Sequence, residues 1–98
     1  MTVIKKIRLN LVEKYLEEVV VSCSQIKVAQ HEMKYVKSRM EDNKKDLSSG
    51  EISESLYNNK SSTLMGEEKK LKNKIKVNIK KSLSDLNKLR KLMDNIEI

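Results

Sequence analysis

Asp46-Leu47-Ser48-Ser49-Gly50-Glu51-Ile52-Ser53 is the stretch that decides the fold of this 98-residue chain. The chain has no proline and only two glycines, and Gly50 sits near its midpoint. On either side run long stretches of helix formers with apolar residues at helical spacing, so the layout predicts two long helices folded back at one turn. Gly50 supplies the left-handed conformation that ends a first helix. Ser53 is a good N-cap, Glu54 puts negative charge in the first turn of a second helix, and Ile52 and Tyr57 stand at hydrophobic-staple spacing. The expected boundaries are one domain over residues 1–98, with a helix over about 3–46, a turn over 47–52 and a helix over about 53–97. At roughly 1.5 Å per residue each arm reaches on the order of 60 Å.

The first arm carries the stripe Val12, Leu16, Val19, Cys23, Ile26, Ala29, Met33, Val36, Met40. Its steps average about 3.5, the coiled-coil repeat. Ile4, Ile7 and Leu11 extend it backward, while the alternation Ile7, Leu9, Leu11 suits a short strand and Asn10 with Glu13 has capping-box spacing; helix from near the N-terminus is favoured. The second stripe is Leu64, Leu71, Ile75, Ile79, Leu83, Leu86, Leu89, Met93, Ile96. Residues 58–63, Asn-Asn-Lys-Ser-Ser-Thr, are weak helix formers, and Gly66 follows. An interruption of the second helix near 58–66 therefore stays open.

Tyr15, Tyr35 and Tyr57 are the only aromatics. Aromatic side chains each cover roughly 150–250 Å² of a globular core, so their scarcity predicts a narrow aliphatic seam. The fold class expected is all-α: an elongated, coiled-coil-like antiparallel helical hairpin, completed by oligomerisation or a partner. Val20, Val21, Val28 and Tyr35 lie off the first stripe, and Val77 and Leu92 off the second. A two-helix hairpin has one internal face, so Val20, Val21, Val28 and Tyr35 are the candidate partner interface. The occupant expected is another helical protein or a second copy, because short helical units rarely bury enough surface alone.

Net charge is +7. The run Lys69, Lys70, Lys72, Lys74, Lys76, Lys80, Lys81 contains no acid. Those seven are the candidate phosphate-contacting residues, for RNA, DNA, the ribosome or an anionic membrane surface. The competing reading is a solvated helix face. Eighteen of the twenty-one basic residues are lysine, whereas specific readers of nucleic acid favour the bidentate geometry of arginine. Nucleic acid is thus the second reading, after helix pairing.

Catalytic chemistry finds little here. His31 is the single histidine and Cys23 the single cysteine. Eight residues apart on one helix, they are turned about 80° from each other and separated by about 12 Å. Cys23 falls on the apolar stripe, where a small buried hydrophobe is expected. A zinc site needs at least three such ligands. Glu17-Glu18, Glu41-Asp42 and Glu67-Glu68 are neighbours pointing about 100° apart, so they do not converge on one cation. No glycine loop cradles a phosphate, and a helical hairpin has no natural pocket. The expectation is no enzyme, no metal and no cofactor. One cysteine suits a reducing compartment, and no stretch approaches the roughly 20 apolar residues that span a bilayer. A soluble, cytoplasmic interaction or scaffold protein is the reading that results.

The segment from Asp46 to Tyr57 resembles the hairpin turn of many coiled-coil proteins, small archaeal cell-division and ESCRT-type hairpin modules among them. The overall plan is also similar to small secreted hairpins built around a Trp-x-Gly turn, but this chain has no tryptophan. Neither resemblance carries functional residues across.

Overall fold

The computed structural model describes residues 2–94, with side chains described from residue 9. The chain is an all-α antiparallel hairpin of two helices, α1 (Thr2–Ser48, 47 residues) and α2 (Glu54–Asp94, 41 residues). The expectations that rest on the side chains of Ile4, Ile7 and Ile96 lie outside the described residues.

The turn is built as its residues predict. Gly50 has φ of 77°, a region in which a side chain meets its own backbone. The Glu51 N–H donates to the Asp46 carbonyl at 2.9 Å and the Gly50 N–H to that of Leu47 at 3.2 Å. That nested pair is the Schellman arrangement, and it satisfies carbonyls that the end of α1 leaves open. At the start of α2 the Leu56 N–H donates to Ser53 Oγ at 3.2 Å, the N-cap bond expected of that serine. Ile52 and Tyr57 are both half-buried.

α2 runs unbroken through Asn58–Thr63 and past Gly66. Its weak formers are held from the side. Asn43 Nδ2 donates to the Tyr57 carbonyl at 3.3 Å and to Ser61 Oγ at 3.1 Å, and Thr63 Oγ1 bonds back to the Asn59 carbonyl at 3.1 Å. Tertiary contact here outweighs low propensity, which costs only a few tenths of a kcal/mol per residue.

Burial along both helices follows a heptad, with Leu11, Glu18 and Asp46 of α1 half-buried beside it. With the seam positions of α1 lettered a and d, Val12, Val19, Ile26, Met33, Met40 and Leu47 occupy a, and Tyr15, Ser22, Ala29, Val36 and Asn43 occupy d; all are buried or half-buried. In α2 the a residues are Ser61, Glu68, Ile75, Ser82 and Leu89, and the d residues Tyr57, Leu64, Leu71, Asn78, Asp85 and Leu92. Every buried or half-buried described residue of α2 is one of these eleven.

Contacts gather into two compact units, one of Met1–Ile26 with Lys76–Ile98 and one of Lys27–Ile75. In the Lys27–Ile75 unit Ala29, Met33, Val36 and Leu64 are buried as expected, and Asn43, Ser61 and Glu68 share the seam with them nearer the turn and along α2. In the other unit the expected stripes are displaced. Leu16 and Cys23 are exposed, and Tyr15 and Ser22 take the seam; Ser22 is only 1% accessible. Ile79, Leu83, Leu86 and Met93 are exposed as well, while Asn78, Ser82, Asp85 and Leu92 turn inward. The reading of Cys23 as a buried hydrophobe is thereby corrected, and Leu92 moves from outside the seam to within it. The cause lies in the stripe itself, which takes two three-residue steps in succession at Cys23, Ile26 and Ala29. A regular helix cannot present that slip on one side without overwinding, so the phase of Ala29, Met33 and Val36 continues back to Ser22.

Nothing lies within 4 Å of where a β-carbon on Gly50 would sit, so Gly50→Ala tests the backbone alone. Urea unfolding of that variant should show a loss of about 1 kcal/mol. An unchanged midpoint would mean that the turn does not need its left-handed residue.

Candidate interaction surfaces

Positions next to a and d decide what the seam leaves outside. In an antiparallel pair the e positions of both helices flank the seam on one side, and the g positions flank it on the other. In the Met1–Ile26/Lys76–Ile98 unit the described e residues of α1 are Leu9, Leu16 and Cys23, and those of α2 are Ile79, Leu86 and Met93. All six are exposed. Val20 and Leu83 at b, one step further round, widen the strip. The seven large ones, all but Cys23, are 44–64% accessible. One side of this unit is therefore a continuous aliphatic face.

The seam beneath that face is unusually polar. Ser22 Oγ, Ser82 Oγ and Asp85 Oδ2 are buried with no hydrogen-bond partner. Lys88 Nζ lies 5.4 Å from the centre of the Tyr15 ring, a cation–π contact that shows how α1 and α2 align in this unit. One heptad from that contact, Ser22 and Ser82 stand at about the same height along the pair. Apolar residues outside and polar ones inside is the reverse of what burial favours in a free helix pair.

The Lys27–Ile75 unit has the opposite character. Its e and b positions are mostly basic or polar: Lys27, Gln30, Lys34, Lys37, Lys44, Lys69 and Lys72 stand there with Glu41, Asn58, Ser62 and a single large apolar residue, Met65, all exposed, and Lys72 Nζ pairs with Glu68 Oε1 at 2.9 Å. On its g side an open groove of about 450 Å³ lies among Arg39, Asp42, Asp46, Lys60 and Glu67, a concavity that the sequence reading did not anticipate. Beside it Arg39 stacks over the Tyr35 ring, with its Cζ 5.4 Å from the centroid. Charges of both signs line the groove, and no cluster of three or more His, Cys, Asp or Glu placed to hold a metal occurs among the described residues.

The residues singled out from the sequence fall as follows. Val20, Val21, Val28 and Tyr35 are exposed at 51–65%, Val20 and Val21 in one unit and Val28 and Tyr35 in the other. All seven lysines from Lys69 to Lys81 are exposed. They occupy the b, c, e, f and g positions of α2, so no single side of the helix gathers them. His31 is exposed, as is Cys23. Sequence reading placed Leu16, Cys23, Ile79, Leu83, Leu86 and Met93 on the core stripes, and all six are exposed; the slip in the first stripe was a signal for Leu16 and Cys23, and the second stripe held none for the other four. Among the described residues no helix is long and apolar enough to cross a membrane. No protein-family model matches this chain, and no curated protein and no solved structure matches it either.

Asp85 tests the account of the seam. It is 3% accessible with one carboxylate oxygen unpartnered, so Asp85→Leu should raise stability by about 1 kcal/mol or more. A thermal melt that moved downward would show that the carboxylate holds the helices together.

Proposed function

We propose that this chain is a non-enzymatic interaction or scaffold module that works by pairing its helices with those of another chain within a larger assembly. One observation carries the reading: large aliphatic side chains stand in water on a helix pair whose single seam is already filled. A contiguous apolar surface of several hundred Å² on a soluble chain marks a surface that something covers. The two-helix plan also offers an amphipathic groove-and-ridge surface of the kind that takes a partner helix. Val20, Val21, Val28 and Tyr35 are the residues assigned to such pairing.

A second reading draws on the seven exposed lysines of α2. As a basic accessory factor, the chain would lie along RNA, DNA or the ribosome through Lys69, Lys70, Lys72, Lys74, Lys76, Lys80 and Lys81. It ranks second because these lysines point around most of the helix and because lysine lacks the bidentate grip of arginine. Salt separates the two. Binding through phosphates loses several orders of magnitude between low and moderate salt, about one power of the salt concentration per contact, whereas apolar pairing changes little.

The double variant Val20→Lys with Val28→Lys should abolish assembly and leave helicity by circular dichroism nearly intact. Sedimentation identical to that of the native chain would sink the pairing reading at these residues.

A further inference from the structure

We infer that the aliphatic face of the Met1–Ile26/Lys76–Ile98 unit is the seat of a second copy of this chain, so that two such units close into a four-helix bundle. This deepens the helix-pairing reading and rests on it. Three observations choose the occupant. The first is area. The exposed portions of Leu9, Leu16, Val20, Ile79, Leu83, Leu86 and Met93 come to roughly 700 Å² per copy, close to the roughly 800 Å² that each partner contributes to a standard interface.

The second is where the polar atoms would go. A bundle formed on this face centres its core on the a and e positions, uniting Val12, Val19 and Ile26 with Leu16 and Cys23 on α1. Leu89 joins Ile79, Leu86 and Met93 on α2. Ser22 and Asp85, at d, then lie on the far side of that core, toward the g edge, while Ser82, at a, stays within it as a small side chain. The apolar stripe read from the sequence in this part of the chain is an a/e stripe, which a free pair leaves half outside and a four-helix bundle buries.

The third is charge. At b and f, along the outer rim of this face, the charged residues whose side chains are described are Glu13 and Glu17 on α1 and Lys76, Lys80, Arg90 and Asp94 on α2. A two-fold axis parallel to the helices lays α1 of each copy over α2 of the other, acidic rim against basic. The register seen at Tyr15 and Lys88 puts Glu13 at the height of Arg90, so these two meet across the axis, twice. Such rim pairs add little affinity but set orientation. The face supplies its own complement.

Sedimentation equilibrium of the 98-residue chain between about 1 and 100 µM, with helicity measured in parallel, tests the inference. The native chain should weigh twice 11.4 kDa. Leu83 points outward, so Leu83→Lys should keep the helices. Its effect is doubled by symmetry, and it should raise the dissociation constant by about a hundredfold or more. Glu13→Arg should weaken the dimer and Glu13→Arg with Arg90→Glu restore it. A native chain that stays monomeric throughout, or a dimer indifferent to Leu83→Lys, overturns the inference; failure of the charge swap to restore overturns the α1-over-α2 arrangement. A monomer that still binds another protein in a Val20- and Val28-dependent way rejects the second copy and leaves the broader pairing reading standing.

Discussion

A helix that pairs with a single neighbour can bury only what recurs about every 3.5 residues, and this constraint sorts nearly every side chain of the molecule. α1 and α2 each hold the 4-3 spacing from the turn outward without a slip. Where the sequence agrees with it, from Ala29 to Met40, the seam is aliphatic. Where the sequence departs from it, regular helix geometry prevails and the chain buries serine and aspartate. Overwinding a helix strains many backbone hydrogen bonds at once, whereas an unpaired hydroxyl costs one group its water.

The turn supplies the phase. Gly50 closes α1 in a left-handed residue, and Asn43 ties the α1 side of the seam to the Tyr57 carbonyl and Ser61 Oγ. A buried amide of this sort costs stability and gains register, because only one alignment satisfies its donors. From Asn43 the a and d positions follow along both helices by counting.

The result is two units of unlike surface chemistry. One shows lysine-rich flanks and a groove lined by both signs of charge; the other shows a face of leucine, isoleucine, valine and methionine over a polar seam. In a free helix pair the second arrangement is inverted, and inversion of this kind is the pattern of an interior cut open. The functional reading depends on that contrast. Individual exposed apolar residues are ordinary on protein surfaces; eight on one side of one unit are not.

Much of the fold was legible in the sequence alone. Gly50, Ser53, Glu54 and the absence of proline specify a stop, a start and two helical arms, because those effects are local and a few residues suffice to produce them; that α2 runs unbroken through residues 58–66 was decided by the structure. The candidate interface was legible only in part. Val20, Val21, Val28 and Tyr35 could be picked out as apolar residues off the stripe. Leu16, Cys23, Ile79, Leu83 and Leu86 could not, since each lies on an apolar stripe that reads as core. Periodicity shows that a helix has an apolar side, but not which edge of that side meets its neighbour. The tertiary structure decided that, because each helix presents one a/d edge to its neighbour, and residues 100° away are left outside however apolar they are.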